Sequence, residues 1–397
     1  MHYPVLLVLL AACGAPGFET DTGQLSISDP EVIDIQADDG GPSPFLAGME
    51  LCPEISANLD TGSDDDYDAL ACFNQAFEGP VTLVGECLAF EAPGVVDWTF
   101  TARARGCPGN DFGYVPTDDH VAIEVLAAAD VEGHLPMLLE EFVEDAEGQA
   151  GVAVTRPDGW RIADGATWRI VAEQAFNLQP RLRTRADGAA VAWKDGTLVS
   201  GGGATVVAQG ELGVYRVFTT LGETSTLSLE VGGESIRVGQ VEGVPVSAVA
   251  SLEIAMVQVQ SAAAGTSSPF AARAVVRDAA GELVMGAPVR WSFTPLLLVS
   301  GADSLPGPDY VVFSDQCTDP ASTFGEQRAR LTASVGLVSD GVDVVWTPRT
   351  EASPQEGWVA SEDCQTSACG CTTGGPTQGG LAMLLGLLAL VRRRRGA

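Results

Sequence analysis

Three histidines, nine cysteines and one run of aspartates are the residues of this 397-residue chain whose types and spacing could do chemistry. The histidines are His2, His120 and His134. His120 follows Asp118 and Asp119, and a carboxylate beside an imidazole can orient a general base or help to hold a metal. No HExxH spacing accompanies it and no nucleophile motif stands nearby, so it reads as an exposed structural histidine. Residues 60–68 read DTGSDDDYD, and hard cations want several carboxylate oxygens close together, which makes Asp60, Asp64, Asp66 and Asp68 a calcium candidate. In a calcium loop starting at Asp60, position 6 would be Asp65 rather than Gly and position 12 would be Ala71 rather than Glu, so a solvated acidic loop is the better reading. The glycine runs at 201–203 and 232–233 lack a strand-to-helix context and a following lysine, and they read as hairpin turns rather than phosphate loops. The expectation is therefore no catalytic residue and no bound cofactor, with calcium as the one metal candidate.

The cysteines read as a disulfide inventory once the ends of the chain are considered. At the N-terminus, MHYPVLLVLLAAC carries a short apolar run at 5–10 followed by Ala11, Ala12 and Cys13, too short to span a bilayer and placed where a secretory signal belongs. At the C-terminus, CGCTTGGPTQGGLAMLLGLLALVRRRRGA ends in an apolar stretch, 379–391, and four arginines, 392–395. As a helix those 13 residues reach about 20 Å, against a hydrocarbon core of about 30 Å. The arginines would stay on the cytoplasmic side, leaving the body outside. A small-residue site at Gly370 and Cys371, a polar spacer and an apolar tail follow the physical logic of C-terminal signals that are recognised and cut.

The Gly-Cys dipeptide, Gly-rich spacer, Leu-rich segment and Arg cluster of residues 369–397 resemble the MYXO-CTERM sorting signal. That resemblance implies processing at Cys371 by a myxosortase-like protease and display at the cell surface; an uncleaved, tilted anchor is the alternative. Leu10-Ala11-Ala12-Cys13 resembles a bacterial lipobox, which implies signal peptidase cleavage and lipidation of Cys13, with Gly14 pointing to release to the outer membrane. No Lys or Arg precedes the apolar run, a departure from the lipobox pattern, and ordinary cleavage a residue or two later is the alternative there.

Charge agrees with an outside life. There are 53 acidic residues against 21 basic ones, for a formal net charge of -32, and four of the basic residues sit in the tail. Such a field repels phosphate backbones and anionic headgroups, which excludes nucleic acid as a partner and leaves the membrane to the anchor alone. With an export signal, Cys52, Cys72, Cys87 and Cys107 read as two disulfides, Cys52 with Cys72 and Cys87 with Cys107 being favoured by proximity among three pairings. Cys364 pairs with Cys369 or with Cys317.

The elements that would carry these residues are strands. Val-x-Trp triplets ending at Trp98, Trp193 and Trp291 are spaced 95 and 98 residues apart. Short apolar runs broken by Gly, Asp and Pro at a period near 100 predict tandem β-sandwiches, with each tryptophan filling the space between two sheets. Val289, Trp291 and Phe293 should face inward while Arg290 and Ser292 face solvent. Residues 134–151, with Leu138, Leu139, Phe142 and Val143 on one face, predict a short amphipathic helix within a connector. The expected organisation is a signal peptide at 1–12, a tether at 13–27, a cysteine-bearing sandwich at 28–133, a helical connector at 134–160, sandwiches at 161–243 and 244–348, a linker at 349–368 and the sorting tail at 369–397.

The D-A-A-G turn followed by an apolar V-x-W strand makes residues 244–348, and more loosely 161–243, resemble bacterial Ig-like domains of the invasin and intimin type. The resemblance implies an all-β stalk or adhesin with no chemistry of its own, presenting a binding face to a surface ligand or protein partner. The alternative is a lipoprotein whose ligand-binding or hydrolytic head, in residues 28–160, is spaced by such modules.

Overall fold

The computed structural model describes residues 17–19, 25–36, 41–57, 67–68, 73–102, 119–136, 139, 152–163, 165–209, 213–259, 269–294, 298–299, 307–314 and 327–346. The described chain is built from strands, as the alternation and the Gly/Asp/Pro punctuation predict.

The N-terminal strands are β1 (Gly17–Glu19), β2 (Leu25–Ser28), β3 (Phe45–Leu46), β4 (Glu50–Leu51), β5 (Glu54–Ala57), β6 (Tyr67–Asp68), β7 (Phe73–Glu78), β8 (Val81–Val84), β9 (Cys87–Phe90), β10 (Gly94–Ala102), β11 (Asp119–Leu126) and β12 (Val131–His134). They form sheets ordered β3-β11-β10-β7, β4-β9-β8 and β1-β2-β5-β6. Strand β11 shows why: Asp119, Val121, Ile123 and Val125 are buried while His120, Ala122 and Glu124 are exposed, the period of two that places one face on a core. The bulky β-branched and aromatic residues of β10, GVVDWTFTA, lie between β7 and β11 in the antiparallel ladder.

Next come β13 (Val152–Thr155), β14 (Thr167–Val171), β15 (Phe176–Leu178), β16 (Arg181–Thr184), β17 (Thr197–Ser200), β18 (Thr205–Ala208), β19 (Tyr215–Phe218), β20 (Thr224–Val231) and β21 (Glu234–Val244). The sheets here are β14-β21-β20-β17 and β15-β19-β18, with β14 parallel to β21. The last strands are β22 (Val249–Val259), β23 (Pro269–Asp278), β24 (Leu283–Val284), β25 (Arg290–Thr294), β26 (Leu298–Val299), β27 (Tyr310–Ser314), β28 (Gln327–Val335) and β29 (Val338–Trp346). They make a sandwich of β13-β22-β23-β27-β26, with β24 on β23, facing β25-β28-β29.

Pairing ties these groups to one another. Strand β12 pairs antiparallel with β16, and β13 pairs antiparallel with β22. Val152 to Thr155 fall in the span expected to be a helical connector, and the structure corrects that expectation for these four residues. Their own pattern, half-buried Val152 and Val154 alternating with exposed Ala153 and Thr155, suits a strand that closes the edge of β22, whereas the Leu and Glu content of the preceding residues carried the helical reading. Of the four residues proposed for the helical face, Leu139 is described and buried; Leu138, Phe142 and Val143 lie outside the described residues.

The segment from Val191 to Trp193 corrects a second expectation, that of a regular strand. Its backbone bonds go to separate partners: Val191 N–H to Leu182 O at 2.9 Å, Ala192 N–H to Pro44 O at 2.7 Å, and Trp193 with Ile33 in both directions at 3.1 and 2.8 Å. The segment is thus a seam between the first and second groups, with single bridges at Ile33–Trp193 and Phe45–Ala192. One apolar cluster runs from Ile27 through Trp98 and Trp193 to Met285 and Val312, and a second fills the last sandwich from Val171 to Val344.

Candidate functional site

The sequence candidates scatter when placed on the fold. His120 is exposed on the outer face of β11, its backbone N–H donating 2.8 Å to the Oδ1 of Asp119. His134 closes β12, opposite Arg181. Of the calcium candidates, Asp60, Asp64 and Asp66 lie outside the described residues, and Asp68 ends β6, which pairs with β5. Cys13, Cys72, Cys107, Cys317, Cys364, Cys369, Gly370 and Cys371 also lie outside them. Trp98 is fully buried with its Nε1 donating to the Oε1 of Gln75 at 3.1 Å, and Trp193 is 1 % exposed. Trp291 is half-buried on β25, donating to the Pro308 carbonyl at 3.1 Å. The inward and outward alternation around it follows the expected phase, with Arg290, Ser292 and Thr294 exposed.

The cysteine pairing favoured by proximity is overturned. Cys52 is joined to Cys87, 35 residues away, with the Cα atoms 4.1 Å apart. The cause is register. Strand β4 runs antiparallel to β9 with Leu51 opposite Leu88, so the next step of the ladder sets Cys52 opposite Cys87. Closing a loop of that length restricts the unfolded chain, and replacing Cys87 with serine should cost about 3 kcal/mol. Urea unfolding of the oxidised wild type against Cys87→Ser checks this, and an unchanged midpoint would show that the bond adds nothing.

Two buried polar groupings were invisible to motif reading. The first surrounds Lys194, the single lysine of the chain. Its Nζ lies 3.6 Å from Asp29 Oδ2 and 3.9 Å from Glu31 Oε2, and donates to Cys52 Sγ at 3.5 Å. The Lys194 and Asp29 side chains are 5 % and 2 % exposed. Asp29 also accepts the backbone N–H groups of Glu31 at 2.9 Å and Cys52 at 2.8 Å. A cation next to the seam residue Trp193 is thus tied to an anion that orders the approach to the disulfide.

The second grouping lies where β14 and β15 meet the last sandwich. Val171 N–H donates to Met285 O at 2.9 Å and Met285 N–H to Arg169 O at 2.7 Å. Arg169 Nη1 meets Asp278 Oδ2 at 2.5 Å, a contact that raises the guanidinium pKa and lowers that of the carboxyl. Beneath it, Arg273 is fully buried, with Nη1 donating to Trp160 O at 3.0 Å and its guanidinium 5.7 Å from the Tyr310 ring. Asp309 is also fully buried, and its Oδ2 accepts the Gly286 N–H at 3.0 Å. In both groupings each cation is engaged by an anion, a carbonyl or a ring, and neither holds a nucleophile poised against a base.

Among the described residues, one set of three potential ligands lies close enough for a metal: Glu50, Cys52 and Cys87. The disulfide occupies two of them, so the set offers a carboxylate and no thiolate. Among the described residues no helix is long and apolar enough to cross a membrane.

No family model and no curated protein matches the chain. Among solved structures, domains 5–6 of the S-layer protein SbsC are similar at 16 % identity and a TM-score of 0.28, covering 50 % of this chain and 100 % of that one. The Escherichia coli adhesin FdeC is similar at 13 % identity and a TM-score of 0.18, covering 83 % and 99 %. An endo-fucoidan hydrolase of glycoside hydrolase family 107 is similar at 13 % identity and a TM-score of 0.23, covering 87 % and 46 %.

Proposed function

We propose that this chain is an exported, non-catalytic protein of the outer membrane or cell surface. It acts as an adhesin or structural stalk, with its sandwiches serving as rigid modules between a membrane anchor and a surface ligand. What supports the reading most is the combination of two termini that resemble export and sorting signals with a described body made of strands, in which β12 pairs with β16 and Met285 exchanges backbone hydrogen bonds with β14 across the boundaries between groups. Backbone ladders across a joint resist bending in a way that a flexible linker does not, which suits a spacer. In this reading Cys13 carries lipid, a myxosortase-like protease acts at Cys371, and the membrane is met only through the anchor. The Ig-like character of the modules belongs to the same proposal.

The test is the intact mass of the protein recovered from its native cells, together with its fraction. Expected are a chain beginning at Cys13 with an added lipid mass, loss of the tail beyond the processing point at Cys371, and recovery with the outer membrane. A full-length unmodified mass in the cytosol would overturn the proposal.

A further inference from the structure

The acid beneath the second joint has features that a purely structural residue does not need. Asp309 stands between Pro308 and the first residue of β27, and its side chain is inaccessible to solvent. Its Oδ2 accepts the Gly286 N–H, while its Oδ1 is buried without a hydrogen-bond partner among the described residues. An orphaned carboxylate oxygen in a dry site is costly when charged and much less so when protonated.

The surroundings of Asp309 come from both sides of the joint. Gly286 follows β24 at φ +65°, and a Cβ there would sit 3.3 Å from the ring of Phe176 on β15 and 3.4 Å from Ile170 on β14. A Cβ on Gly307 would meet Asp309 Oδ1 at 2.7 Å and the Phe176 ring at the same distance. The carboxyl is therefore lodged where the second group closes on the third, accepting the N–H of Gly286, the residue next to the Met285 bridge to β14. The charged group facing it is Arg273 on β23, whose Nη2 lies 2.8 Å from Met285 Sδ. The segments carrying Gly286 and Phe176 bring a backbone amide and a phenyl ring, and Tyr310, its chain neighbour, turns its ring to Arg273. Burial pushes the Asp309 carboxyl up to about 6, against the opposing pull of Arg273 and of the backbone N–H groups of Gly286 and of Asp309 itself.

We propose that Asp309 is a proton-operated latch on the joint between the second and third sandwiches: neutral, it holds the Gly286 turn and the Met285 bridge to β14 closed, and ionised, it loosens them. The sign follows from linkage. A carboxyl whose folded pKa is raised contributes stability that is fully present below its unfolded value, near 4, and is lost as pH climbs through about 6. The joint is thus tight in acid and looser at neutrality, which gives the rod a stiffness set by the medium.

Hydrogen exchange of the full chain, read on peptides covering residues 169–171 and 283–287 and corrected for intrinsic pH effects, tests the latch. A carboxyl moved from near 4 to about 6 corresponds to roughly 100-fold in the opening equilibrium. Between pH 4 and pH 7 the opening of these segments in wild type, relative to Asp309→Asn, should rise by about that factor. An identical pH dependence in the two proteins would overturn the proposal. Should Asp309→Asn fail to fold, wild type alone decides, using a peptide over β18 and β19 as internal reference. A joint-specific loss of protection with a midpoint near pH 6 supports the latch, and a joint that tracks the reference at every pH overturns it.

Discussion

Replacing Trp98 with alanine is expected to remove about 3–5 kcal/mol of stability, among the largest losses available to a single side chain here. The indole is fully buried on β10 between β7 and β11. Its ring centroid lies 4.7 Å from that of Phe100 and 5.4 Å from that of Phe77, so truncation empties the centre of an aromatic cluster as well as a hydrophobic site. The strand backbones on both sides are held by ladder hydrogen bonds and cannot collapse into the space, which keeps the cavity cost near its upper range. The substitution also strips Gln75 of the Nε1 donor it accepts from at 3.1 Å. Trp98→Phe should recover part of the loss and not the hydrogen bond. Urea unfolding monitored by circular dichroism is the measurement, and a loss below about 1 kcal/mol would contradict the central placement of this ring. Trp291, half-buried at the edge of its sandwich core, should lose less on the same change.

That contrast shows how far sequence spacing reaches. The Val-x-Trp recurrence located three tryptophans that anchor strands or seams, because a large apolar residue in a period-two context has few places to go. The same recurrence could not tell that Trp98 sits in the middle of a ladder, that Trp193 belongs to a bridge with Ile33, and that Trp291 stays half-buried. Those differences are set by pairing partners outside the local sequence window, Phe77 and Val121 for Trp98, Ala333 for Trp291 and, 160 residues away, Ile33 for Trp193. The disulfide is the same lesson in smaller form: proximity in sequence pointed from Cys52 to Cys72, whereas the register of β4 on β9 delivers Cys87. Asp309, Arg273 and Lys194 carried no motif at all. Their chemistry arises from burial, and burial of a charged residue is a property of the packed joint rather than of its neighbours in sequence. A signal was present only in scarcity: a single lysine in a strongly acidic chain is an unusual residue to keep, and it is found in the core.

Lys194→Met is accordingly the second large effect expected, a loss of about 3–5 kcal/mol from breaking a buried pair. Methionine fits the aliphatic stem, so the cavity is small, and the cost comes from Asp29, left as a buried carboxylate whose compensating cation is gone. The two backbone donors on Asp29, from Glu31 and Cys52, soften this without replacing the charge. Combining Lys194→Met with Asp29→Asn should recover much of the loss, since the doubly substituted site buries no net charge. The recovery stays incomplete because one amide oxygen replaces two carboxylate oxygens as acceptors. A double-mutant cycle on urea midpoints should therefore show a coupling energy of about 2 kcal/mol or more, and strictly additive losses would mean the pair contributes no net attraction. Because Lys194 adjoins the seam at Trp193 while Asp29 holds the Cys52 backbone, the weakened variant should also let the first group part from the second before either unfolds. Two separated transitions in Lys194→Met, where wild type has one, would display that uncoupling directly.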